Sequence, residues 1–235
     1  MTQKTFVLVH GAWHGGWCWV RVAALLRAQG HVVFTPTLTG LGERTHLFGP
    51  GIDLTTHITD VVNLMKWEKL SDIVLCGHSY GGIVISGVAE QMEHAISSIV
   101  FLDAFLPHDG EAIEDVTAPV IQEAMREARV KGEHGIPPRP AAFFNVNETD
   151  RAWVDGLCAP QPLKTFAQKI TLTGARERIA KKSYIRAGNY TNPGFDRALG
   201  EVKADPSWRT YTVPCGHDVM VDMPEPLAEI LLEVA

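Results

Sequence analysis

The sequence predicts an α/β chain: a mostly parallel sheet of about six strands, helices on both faces and a helical cap insertion. Three observations predict it. Short apolar runs alternate with segments of helical spacing, and such alternation pairs strands in parallel. The first run ends in a glycine-rich turn. After Pro107 the alternation stops, and it resumes only near residue 180.

Each element has its own signal. Phe6 to Val9 is a continuous apolar run, the mark of a strand buried on both faces. Val22, Leu25 and Leu26 follow at helical spacing, with Gly30 where a helix ends. His31 to Phe34 is the second strand, stopped by Pro36. Leu54, Ile58, Val61, Val62 and Met65 line one face of the second helix. Ile73 to Cys76 is the third strand, Ile83 to Met92 a helix and Ile96 to Leu102 the fourth strand. Residues 107 to about 180 offer helical fragments such as Val120 to Val130 and no clear strand. Tyr184-Ile185 is a short strand, Phe195 to Val202 a helix, Trp208 to Val213 a strand, and a last helix follows Pro224. No repeat or linker interrupts residues 1–235, so they read as one domain. Residues 107–180 are then a cap over the carboxyl ends of the strands.

Composition narrows the function classes. A chain of 235 residues can bury a sizeable core without disulfides or metal. Its net charge of −6 argues against nucleic acid as a partner. No run approaches the roughly 18 apolar residues of a membrane span. Phe6-Val7-Leu8-Val9 passes straight into His10-Gly11, with no secretory signal. Cys18, Cys76, Cys158 and Cys215 are scattered without a C-x-x-C pair, as reduced thiols of a cytoplasmic protein.

Gly77-His78-Ser79-Tyr80-Gly81 is a G-x-S-x-G set between a strand and a helix. The glycines permit a sharp turn that lifts the Ser79 hydroxyl off the sheet edge, beside a helix N-terminus that favours negative charge. At that junction the motif reads as a nucleophile rather than a small-residue turn. A serine hydroxyl is hardly ionised near neutral pH and needs a base. Of ten histidines, His217 follows the last strand, where that base belongs. His10 and His14 shape the first turn, and His78 lies too close in sequence to point at its neighbour. The oxyanion donors are the backbone N–H groups of Tyr80, just after the nucleophile, and Ala12, in the turn after the first strand. Trp13 is placed to line an acyl pocket, and the cap offers Phe143, Phe144 and Trp153 as further wall residues. With no H-E-x-x-H, P-loop or G-x-G-x-x-G, the sequence calls for no metal and no cofactor.

His10-Gly11-Ala12-Trp13-His14-Gly15-Gly16-Trp17-Cys18-Trp19, with Gly77 to Gly82, resembles the α/β-hydrolase superfamily. The nearest branch is that of plant methyl esterases and hydroxynitrile lyases with their bacterial carboxylesterases. Thr35 to Arg44 resembles the bacterial esterases of that branch, some of which cleave bulky esters such as pyrethroids. The resemblance spans most of residues 5–106 and 183–235 and is weak through the cap. It implies a serine esterase with Ser79 as nucleophile, His217 as base and the Ala12 and Tyr80 amides as oxyanion hole. The implied partner is a small to medium hydrophobic or aromatic ester, with no nucleic acid, no membrane and room for a homodimer. Two rivals remain. A hydroxynitrile lyase has threonine where Gly11 stands and lysine where Asp218 stands, and a ligand-binding receptor could use the same scaffold.

The acid that orients His217 is where this chain departs from its relatives. Plant members place an aspartate after the strand at Tyr184-Ile185. Here Arg186 to Asn192 holds no carboxylate, and Asn189 stands at the relatives' acid position. Asp103 follows Ser79 by 24 residues, one helix and one strand, and so emerges at the same sheet edge. An unpaired aspartate in so apolar a run would be costly to bury, and His217 is its natural partner. Asp103 is therefore the expected acid, with Asp196, Asp218 or no acid as alternatives.

Overall fold

The computed structural model describes residues 2–235. The first half alternates β1 (Thr5–Val9), α1 (Val20–Ala28), β2 (Val32–Phe34), α2 (Leu54–Trp67), β3 (Ile73–His78), α3 (Gly81–Met92) and β4 (Ile96–Leu102). The middle holds α4 (Ile113–Val116), α5 (Pro119–Lys131), β5 (Gly135–Ile136), α6 (Arg151–Leu157), β6 (Gln161–Pro162), α7 (Leu163–Ala167) and α8 (Ala175–Arg178). The chain then closes with β7 (Lys181–Ala187), α9 (Pro193–Ala204), β8 (Trp208–Val213), α10 (Val219–Asp222) and α11 (Pro224–Glu233).

Six strands form one sheet in the order β2-β1-β3-β4-β7-β8, every pair parallel. All six residues of β3 are buried, as a strand covered by helices on both faces requires. The chain moves outward from β1 to β2 and then returns to the other side of β1, which places a topological switch point between β1 and β3. A crevice opens there, outside the carboxyl ends of the strands. Register aligns those ends: Val9 lies beside Gly77, His78 beside Leu102, and Leu102 beside Ile185. The loops carrying Ala12, Ser79 and Asp103 therefore leave the sheet at one edge. Asp53 caps α2 by accepting the Thr56 N–H at 2.9 Å, a contact that contributes about 1 kcal/mol.

Two expectations need correction. The strand at Tyr184-Ile185 runs instead over seven residues, because Lys181, Lys182 and Arg186 belong to it. Their charges hide the pattern, yet Lys182 and Arg186 are buried with acceptors of their own. The middle segment also contains strands, the antiparallel ribbon of β5 and β6. Each has only two residues, too few to leave a period in the sequence. All four cysteines are unpaired. Among the described residues, no helix is long and apolar enough to cross a membrane.

Candidate active site

Ser79 sits in the turn between β3 and α3 with φ +54°, a left-handed conformation that costs a residue with a Cβ free energy. The turn is held by backbone bonds: Ser79 N–H donates to the Leu102 carbonyl at 3.1 Å, and the Ser79 carbonyl accepts from Gly82 and Phe105. It also requires glycine at 77, where a Cβ would meet the Gly81 carbonyl oxygen at 2.5 Å. Gly11, in the loop after β1, passes as close. A Cβ there would stand 2.8 Å from His78 Nδ1 and 2.9 Å from the Ser79 Cβ.

Ala12 of that loop and Tyr80, next to Ser79, line the same cavity. Neither amide has a backbone acceptor among the described residues. Trp13 takes φ +65° and is clamped three ways by the middle segment. Its N–H donates to Gln161 Oε1 at 3.0 Å and its Nε1 to the Ile136 carbonyl at 3.0 Å, while its carbonyl accepts from Ala159 at 2.8 Å. His10 braces the loop from below, donating from Nδ1 to the Gly11 carbonyl and accepting the Leu38 N–H at Nε2. Burial pushes its pKa down to about 3, so it stays neutral.

His217 follows β8 and is nearly fully buried. Its Nδ1 donates to Asp103 Oδ2 at 2.6 Å. Asp103 is completely buried, and its other oxygen accepts from the Ala187 N–H at 3.0 Å and from Arg186 Nη1. Asn189 turns elsewhere, donating to the Pro214 carbonyl at 3.0 Å. Asp196 binds Arg186 rather than the histidine.

Asp218 faces away from the cavity. Its Oδ2 pairs with His14 Nε2 at 3.0 Å, and His14 Nδ1 donates to the Ala12 carbonyl at 2.7 Å. Burial opposes both charges, yet the pair overcomes it: His14 is raised by Asp218, and Asp218 lies well below the usual carboxylate range. The result is a buried ion pair tying the loop of Ala12 to the loop of His217. His78 donates from Nε2 to the His217 carbonyl at 3.0 Å, and burial followed by the nearby His217 lowers its pKa. Ligand atoms of His78, His217 and Asp218 approach within 4.8 Å, near enough for a metal ion. Several are already engaged: His217 Nδ1 by Asp103, His78 Nε2 by a carbonyl and Asp218 Oδ2 by His14.

A cavity opens on Ser79 and His217. Ala12, Trp13 and Tyr80 line it, together with Thr117, Ala118, Ile121, Phe143, Phe144 and Phe166 of the middle segment. Phe105, Tyr190, Asn192 and Phe195 complete the wall. No Lys, Arg, Asp or Glu lines it. Trp153 does not reach it, a departure from expectation. Its ring packs edge-on against Trp17 at 5.2 Å and under the Arg21 guanidinium. The sequence reading also missed Phe105, Tyr190 and Phe195, whose spacing marks only core.

The family described as alpha/beta hydrolases matches residues 6–230. A carbendazim hydrolyzing esterase of Nocardioides sp. (strain SG-4G) is 42% identical over 97% of this chain and 98% of its own length. Methylesterase 10 of Arabidopsis thaliana is 38% identical over 98% of this chain and 91% of its own. Among solved structures, an extracellular alpha/beta-hydrolase from a Paenibacillus species, described as homologous to tobacco salicylic acid binding protein 2, superposes with a TM-score of 0.87 at 26% identity, covering 99% of each chain.

Proposed function

This chain belongs to the alpha/beta hydrolase family, and from that membership we propose that it hydrolyses carboxylic esters through an acyl-enzyme on Ser79. The observation that carries the reading is the 2.6 Å bond from His217 Nδ1 to Asp103, at the cavity that also holds Ser79. That bond leaves Nε2 as the basic nitrogen. Ser79 attacks the ester carbonyl while His217 takes its proton, and the Ala12 and Tyr80 amides receive the oxyanion at the N-terminus of α3. His217 then protonates the leaving alcohol, and water repeats the cycle on the acyl-enzyme.

A cavity without charged side chains suits a neutral ester with a hydrophobic or aromatic part. The relatives' names, a carbendazim hydrolysing esterase and a methylesterase, support esters of that kind. Lyase chemistry has less support: a threonine at position 11 would crowd the Ser79 Cβ. A receptor has no use for a strained serine that shares a cavity with a buried histidine–aspartate pair. Four free thiols fit the cytoplasm. The test is hydrolysis of short-chain p-nitrophenyl esters and of mandelonitrile by the wild type and Ser79→Ala. Ester turnover lost in Ser79→Ala is expected. Mandelonitrile cleavage at a comparable rate, or no ester turnover by folded protein, overturns the reading.

A further inference from the structure

More than its acid holds His217 in place. Arg186, in β7, has a side chain only 6% exposed, and each of its five N–H groups has an acceptor. Nη1 donates to Asp103 Oδ1 and to the Ala187 carbonyl at 2.9 Å. Nη2 donates to the Tyr190 carbonyl at 2.6 Å and to Asp196 Oδ1 at 2.7 Å, and Nε reaches the same Asp196 oxygen at 3.3 Å. The guanidinium also lies over the Phe195 ring, 5.8 Å from its centroid. Three of these partners touch His217. Asp103 accepts its Nδ1–H, the Tyr190 ring stacks on it at 4.7 Å, and the Phe195 ring stacks on it at 5.2 Å.

On the reading that His217 is the base, we infer that Arg186, braced by Asp196, is a positioning residue for the hydrolysis. One planar fork fixes the carboxylate and two of the four rings packed on the imidazole, Tyr190 and Phe195, the others being His78 and Phe144, a task the three radiating donors of a lysine cannot reproduce. Asp196 has an electrostatic part as well. Asp103 attracts the imidazolium that forms during acyl transfer from contact distance, and Arg186 on its other oxygen partly cancels that attraction. With Asp196 the array carries one net negative charge, so the imidazolium still meets an attractive field.

A buried ion pair retained only for folding would look similar in the static structure, so the test is a double-mutant cycle on kcat and KM with a p-nitrophenyl ester. Arg186→Met is expected to lower kcat about 10²-fold with KM within about threefold, since misplacement of a reacting group acts on kcat. In an Asp103→Asn background the same change should cost less than about threefold, because residues acting as a unit do not add. Full multiplication of the two losses overturns the inference, as does folded Arg186→Met keeping more than a third of wild-type kcat. Should Arg186→Met fail to fold, Asp196→Asn carries the cycle, since that carboxylate is 52% exposed. A loss of kcat of roughly fivefold or more that vanishes in the Asp103→Asn background is expected, and no loss, or one that persists there, overturns the inference. If Asp103→Asn alone leaves kcat intact, the failure belongs to the assignment of the acid instead.

Discussion

Replacing Asp103 by asparagine removes a charge while keeping the shape. Oδ1 accepts from the Ala187 N–H and from Arg186 Nη1, both obligate donors. An asparagine must keep its carbonyl oxygen toward those two, which turns its NH₂ toward His217 Nδ1. Nδ1 then has to accept, the proton moves to Nε2, and in the proposed mechanism the base would meet Ser79 with a hydrogen instead of a lone pair. A wrong tautomer of this kind lowers kcat about 10⁴-fold, about 5.4 kcal/mol of transition-state stabilisation. Stopped kinetics with p-nitrophenyl acetate measures the loss, and near-ultraviolet circular dichroism shows whether the fold is kept. A folded Asp103→Asn protein with more than a tenth of wild-type kcat refutes the reasoning, above all if Asp196→Asn or Asp218→Asn abolishes activity.

Three further outcomes are expected. Gly11→Thr should slow organophosphate labelling of Ser79 at least ~10²-fold, because its Cβ would displace the nucleophile; labelling at the wild-type rate refutes the close-approach argument. Phe143→Ala, at a residue 39% exposed on the cavity wall, should shift kcat/KM toward bulky acyl groups by roughly tenfold; an unchanged ratio across an ester series counts against that wall of the cavity. Asp218→Asn should lower Tm in a pH-dependent way. The lowered Asp218 contributes stability that is present above about pH 4 and lost as pH falls through its folded value. The raised His14 contributes stability that is fully present below about pH 6.5 and lost as pH rises through its folded value. The Tm gap to wild type is therefore widest between about pH 5 and 6.5, and a gap independent of pH contradicts the ion pair.

Much of the sheet is legible in the sequence because its central strands are buried on both faces, and Phe6 to Val9, Ile73 to Cys76 and Ile99 to Leu102 read as unbroken apolar runs. Ser79 is legible because its glycines announce a backbone that few sequences need. Asp103 stands out as a carboxylate at the end of an apolar strand, and the structure sets it against His217 at a separation of 114 residues. Arg186 was illegible for the same reason that β7 looked short. A charge inside a strand argues against burial until its partners are known, and Asp103 lies 83 residues away in sequence. The His14–Asp218 pair spans 204 residues and leaves no local pattern. Trp153 misled because aromatic character signals burial without saying against what, and its partner is Trp17 rather than a substrate.

The most direct test of acyl transfer through Ser79 is a titration of esterase activity with an organophosphonate, followed by mass spectrometry of the peptide carrying residues 73–92. Activity should fall linearly to zero at one equivalent per chain, with the phosphonyl group on Ser79 and none on the Ser79→Ala protein. Ester hydrolysis that persists in fully modified protein, or an adduct on any other residue with activity lost in step, would contradict it.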